Sequence, residues 1–186
     1  MLTIEQFWGI IDSANFGANN DIAIINDNVL NQLVLLDNED ILLWQKIFNE
    51  YFDYTEGNQL HVAFYIIDGS YNQLAFDSYR AGLISFGEKL YMSTLHNPDT
   101  LAEHEFVDGG VMLNAAFLSV AKIAYIMKNS EQNFDFEFLV EEKSLDSKMK
   151  KAIYDSIDFS LRMDYEWEDS EKSLKKLCPK LFERFW

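Results

Sequence analysis

Apolar residues recur every three or four positions, between recognisable cap signatures, along almost the whole of this 186-residue chain. That period gathers side chains on one face of a helix, whereas a strand needs a period of two, so the chain is bound to helical layers packed on one another. Only two prolines and eight glycines interrupt the pattern, which disfavours a turn-rich β architecture. Hydrophobic residues make up 48% and aromatic residues 15%, far more than a disordered acidic chain carries and enough to bury a sizeable core. The expected fold is mostly α: a single compact multi-helix domain over residues 1–186, with at most a minor extended element near 134–140.

Segment by segment, Thr3 and Gln6 form a capping box that opens a first helix with Phe7, Trp8 and Ile11 on its stripe. Residues 22–36 carry Ile22, Ile25, Val29, Leu33 and Leu36 at helical spacing. "DNED" then starts a helix bearing Ile41, Leu42, Gln45, Phe48 and Phe52, with Glu39 and Asp40 at its positive end. The apolar run 60–67 closes at Asp68-Gly69, as a helix or a buried strand would. Ser70 and Gln73 suggest a capping box for the helix containing Arg80; Gly87 breaks that helix, residues 89–95 continue, and Pro98 stops the chain. Thr100 and Glu103 read as one more box.

"VMLNAAFLSVAKIAYIM", residues 111–127, is interrupted by Asn114, Ser119 and Lys122 and falls short of the roughly 20 apolar residues of a membrane span. A long core helix is expected there. "FDFEFLV", residues 134–140, places Phe134, Phe136, Phe138 and Val140 at period two and is the best strand candidate. Ser144 is expected to cap a helix with Leu145, Met149, Ile153 and Ile157 on its stripe, and the tail should be helical on either side of Pro179.

The net charge of −16 is unevenly spread: residues 1–79 hold twelve acids and one base, Lys46. Such a field repels nucleic acid and anionic membranes and attracts basic proteins. The N-terminus lacks a basic stretch before its apolar residues, so no secretory signal is read there. One cysteine, Cys178, leaves no internal disulfide and suits a reducing compartment, so the expected location is the cytoplasm. No phosphate loop, dinucleotide glycine pattern, zinc-protease helix, paired-cysteine motif or nucleophile elbow occurs, so neither a cofactor nor a catalytic residue is expected. Cys178, between Leu177 and Pro179, reads as packing. His96, Asp99, Glu103, His104 and Glu105 are metal-capable types close in sequence. Local capping accounts for Asp99 and Glu103, and the adjacent His104 and Glu105 diverge on a helix, so no metal is expected.

Arg80 stands apart. It is the second basic residue of the chain, and its helical neighbours are Phe76, Asp77, Ile84 and Gly87. Ser78, Gly82 and Ser85 make a small-residue face that lets another helix approach. A guanidinium between such faces is partly buried and has to be paired. The favoured reading is a clamp, its head on Asp77 or on helix-end carbonyls and its stem among aromatics; the rival is recognition of a small anion.

The run "FDSYRAGLISFGEKLYMSTLHNPDTLAE" resembles the central signature of domain of unknown function 4240, an uncharacterised bacterial family, on Phe76, Tyr79-Arg80, Leu83-Ile84, Gly87, Pro98-Asp99 and Leu101-Ala102. Phe7-Trp8 and the closing "WEDSEKSLKKLCPKLFERF" are similar to the family's ends. Two features depart from it: "GSYNQLAF" stands where the family tends to have Ser and paired acids, and Gly82 where it tends to have Trp. The resemblance implies fold and a bacterial setting, alone or beside WGR domains, and no activity. The function expected is a non-catalytic acidic module that binds a basic protein, of inhibitor or immunity type, without direct nucleic-acid or membrane contact. The alternative is an enzyme or small-anion binder in which Tyr79, Arg80, Asp77 and His96, or His61, line a pocket.

Overall fold

The computed structural model describes residues 1–69, 72–105, 112–129, 134–157 and 170–186. The described elements are all helical: α1 (Ile4–Asn15), α2 (Ile22–Leu33), α3 (Asn38–Tyr54), α4 (Asn58–Asp68), α5 (Gln73–Ser85), α6 (Glu88–His96), α7 (Val120–Lys128), α8 (Phe136–Glu141), α9 (Ser147–Ser156), α10 (Glu171–Leu177) and α11 (Pro179–Phe185), with 3-10 helices at Pro98–Glu103 and Ala115–Ser119. Short polar side chains start most of them. The box at α1 makes both its bonds, Gln6 N–H to Thr3 Oγ1 at 3.2 Å and Thr3 N–H to Gln6 Oε1 at 2.9 Å. Asp21 caps α2 and Asn72 caps α5 through their side-chain oxygens. Gly69, at φ +74°, closes α4 in the left-handed conformation that glycine takes without a Cβ clash.

An aromatic cluster forms the centre. Phe7 and Trp8 of α1 meet Trp44 and Tyr51 of α3, with Phe7–Trp44 centroids at 5.1 Å and Trp8–Tyr51 at 4.8 Å. Tyr91 of α6 joins Trp8 at 5.3 Å, and its buried hydroxyl donates to the Tyr51 carbonyl at 2.6 Å. Farther along α3, Trp44 and Phe48 pack on Phe117. Each such pair adds about 0.5–1.5 kcal/mol beyond simple area burial.

Helix α5 carries the most buried run, from Tyr79 to Ser85. Its small-residue face admits the chain just before the 3-10 helix at Ala115–Ser119. The Asn114 N–H donates to the Ser78 carbonyl at 3.0 Å, and Asn114 Nδ2 to Ser85 Oγ at 3.1 Å. A Cβ on Gly82 would lie 1.7 Å from the Met112 carbonyl oxygen. The close approach expected from Ser78, Gly82 and Ser85 is therefore present, and the non-helical residues 112–114 ahead of the 3-10 helix make it. Asn114 also exchanges two amide hydrogen bonds with Asn26, tying α2 to the same point.

Several local expectations are corrected. Residues 134–140 do not form a strand: Asp135 caps α8 through the Phe138 N–H, and Phe136 and Val140, four apart, are the buried pair. Phe138, on the period-two stripe, is left 56% exposed. The described part of the run expected to be one long helix holds a 3-10 helix at Ala115–Ser119 and the nine-residue α7. Asp146, not Ser144, caps α9. Thr100 and Glu103 make no box; they lie in the 3-10 helix capped by Asn97, and Glu103 pairs with Lys180 at 2.6 Å. Asp99 instead receives the Lys180 and Leu181 N–H groups at 3.2 and 2.9 Å, closing the start of α11. Ser70, expected to start a capping box, lies outside the described residues, as does Gly109-Gly110, a pair that in sequence reads as a break ahead of the 111–127 run. No described helix is long and apolar enough to cross a membrane.

Gly82→Ala should destabilise the protein by about 3 kcal/mol, because backbone rather than a yielding side chain stands in the way of the methyl group. A lowered urea midpoint at unchanged slope is the expected readout, and an unchanged midpoint would contradict this packing.

Candidate functional site

Helix α3 ends at Tyr54 with Thr55 as its C-cap, and the Phe52 carbonyl at this negative end takes the Thr55 N–H at 3.0 Å with acceptor capacity to spare. Arg80, only 3% exposed, closes that end. Its Nη2 donates to the Phe52 carbonyl at 2.7 Å and its Nε to Thr55 Oγ1 at 2.7 Å. The Thr55 hydroxyl in turn donates to the Phe52 carbonyl, so it serves as acceptor and donor at once. Nη1 reaches Asp77 at 3.0 Å, one turn back on α5. The guanidinium carbon lies 3.8 Å from the centroid of the Phe52 ring and 5.5 Å from that of Phe76, a cation–π placement that offsets part of the lost hydration. The planar fork, the helix end and the ring fit one another as the clamp reading expects.

Of the other residues singled out in sequence, Asp77 hydrogen-bonds Arg80. Asp77 is partly exposed and also accepts from Gln73 Nε2 at 2.9 Å. Tyr79 is packed between Phe64 and Phe76, and its buried hydroxyl has no hydrogen-bond partner among the described residues. Burial, with a smaller contribution from Cys178, pushes this phenol far up, so it stays neutral and is poorly suited to proton transfer. His96 is exposed in the last turn of α6 and takes no part in the hydrogen bonds of Arg80. Cys178 is buried, and burial followed by the Asp99 charge raises its thiol to about 12, the state of an unreactive packing residue. His61 stands edge-on to Phe76 with centroids 4.0 Å apart; burial and then the Arg80 charge hold its ring below the usual imidazole value of 6.5.

A concave site arises elsewhere, from two stretches a hundred residues apart. The start of α3 and the turn between α8 and α9 enclose a cleft of about 690 Å³. Its rim carries the carboxylates of Asp37, Glu39, Asp40, Glu142 and Asp146, and Leu43, Leu145 and Met149 supply apolar wall. The cations there are Lys143, paired with Glu39, and the Met1 amine, 3.5 Å from Asp40. Asp40 also accepts the Leu2 N–H at 2.8 Å, and Asp146 caps α9, whereas the Asp37 carboxylate makes no cap bond. An acidic rim over an apolar wall suits a cationic head on an aliphatic stem. The "DNED" run hinted at one half of this cleft; the other half is contributed by folding.

Arg80→Ala should lower stability by about 3 kcal/mol, near the low end for a broken buried pair because Asp77 still reaches solvent. Arg80→Lys should recover only part of it, since an ammonium cannot reproduce the fork. Chemical denaturation of the three proteins measures this, and a wild-type midpoint for the alanine variant would rule out the clamp.

The depressed His61 value has a definite sign. The unfolded chain binds the proton more readily than the folded one, so stability is full above about pH 6.5 and falls as the pH drops through that value towards the folded-state pKa. His61→Gln should flatten the denaturation midpoint between pH 7.5 and 5.5 relative to wild type (~2 pH units spanning the usual imidazole range).

Among curated proteins and among solved structures nothing matches this chain. A family model does: that of a protein of unknown function, DUF4240, over residues 2–133, which takes in α1 to α7, the Arg80 clamp and half of the acidic cleft. The chain belongs to the DUF4240 family.

Proposed function

We propose that this protein is a non-catalytic acidic binding module that captures a basic segment of a protein partner in the bacterial cytoplasm, in the manner of an inhibitor or immunity protein. The observation that carries this reading is the cleft at the start of α3, where five carboxylates face two cations above an apolar wall. The wider field agrees in sign, since residues 1–79 contribute twelve acids against Lys46 alone. An acidic rim accelerates encounter with a basic partner, and the apolar wall holds the stem of a lysine or arginine once it arrives. Arg80 supports the fold of this module at the other end of α3, with its donors spent on Phe52, Thr55 and Asp77.

The test is a pull-down with the products of neighbouring genes at low and high salt, followed by binding kinetics with the partner recovered. Asp37→Asn combined with Glu142→Gln, both exposed positions, should slow association on the order of tenfold and make it less salt-dependent. Recovery of no partner, or kinetics indifferent to salt and to these changes, would set the reading aside.

A further inference from the structure

A second cleft, of about 550 Å³, lies where the turn between α1 and α2 meets the junction of α5 and α6. Its lining differs in kind from the first. In a chain with 31 acidic residues, no aspartate or glutamate appears among the described residues that line it. Asn15, Asn19, Asn20, Lys89, Ser93 and His104 converge there beside the Phe86 ring.

Among the described residues no hydrogen bond uses the Lys89 ammonium or the Asn19 and Asn20 side chains, whereas the Asn15 amide and the Ser93 hydroxyl already donate to carbonyls. Lys89 is exposed and forms no ion pair among the described residues. Asn19 and Asn20 sit consecutively in the left-handed region, at φ 52° and 62°. Asn15 is held in place by donating to the Ile11 and Ser85 carbonyls, both at 2.8 Å. Asp12 accepts the Glu88 N–H at 3.1 Å, next to Lys89 in the chain.

We propose that this cleft binds the oxyanion group, phosphate or carboxylate, of a small ligand, with Lys89 as the charged contact and the Asn19 and Asn20 side chains as neutral donors. A mobile ammonium and carboxamides can surround an oxyanion without the desolvation that a buried cation would suffer. The Phe86 and Leu90 side chains give the rest of the ligand an apolar surface to lie on. This inference is independent of the binding reading above, because it uses none of the same residues.

The experiment is a nitrogen–proton NMR titration of the full chain with inorganic phosphate and, separately, with acetate, at constant ionic strength. Saturable shifts confined to residues 15–20, 86–93 and 104 are expected, and which anion saturates identifies the oxyanion. Lys89→Met, a change at an exposed side chain, should weaken binding on the order of tenfold or more with the rest of the spectrum unchanged. Shifts that grow linearly without saturating, that spread over the surface, or that persist with equal affinity in Lys89→Met would overturn the proposal.

Discussion

A guanidinium removed from water has to find acceptors, and a helix that ends inside a protein has to find donors. Arg80 and the last turn of α3 meet both needs in one contact. Because α3 also carries the aromatic centre, Trp44, Phe48 and Tyr51, the clamp fixes where that helix stops relative to α5. The same device recurs at two other helix ends. Asp12 of α1 receives the first N–H of α6, and Gly87 stands there at φ +101°, a conformation that side chains rarely adopt. Asp99 receives the first free N–H groups of α11. Arg80, Gly87 and Asp99, three positions on which the resemblance to the family rests, thus each serve a helix terminus.

The helices themselves were legible because a three-to-four apolar spacing runs through them and, at some termini, agrees with the cap residue. Thr3 and Gln6 illustrate this, as does Gly69. Misreadings came where one pattern satisfies two geometries. Phe134, Phe136, Phe138 and Val140 alternate, yet Phe136 and Val140 are also one helical turn apart, and Tyr125 packs against Phe134 and Phe136 from α7. No described neighbouring strand offers the ladder that the alternating reading needs. Thr100 and Glu103 have the spacing of a capping box, but Asn97 ahead of Pro98 takes the cap and tightens the segment into a 3-10 turn.

Of the functional features, the burial and pairing of Arg80 could be argued from its neighbours, since Asp77 and the small face are local. The Phe52 carbonyl and Thr55 could not be named, because they lie on another helix. The acidic excess was visible as a number, while its concentration into a cleft depended on bringing residues 142–149 to the start of α3. Tyr79 and His96 drew notice by adjacency in sequence to Arg80 and to a turn. In space one is core and the other is surface.

The caps on α11 have a consequence for where this protein can be cut. Asp99 lies inside the stretch that the family model covers, and the helix it closes lies beyond residue 133. Leu174 and Leu181 are fully buried, and Arg184 donates to the Ala102 and His104 carbonyls at 2.7 and 3.0 Å. A fragment trimmed to the matched boundary would keep a carboxylate shaped for a helix that is no longer there and would bare the apolar surface those leucines cover. The matched region is therefore smaller than the unit that packs, and a boundary drawn at residue 133 would run through the middle of a core.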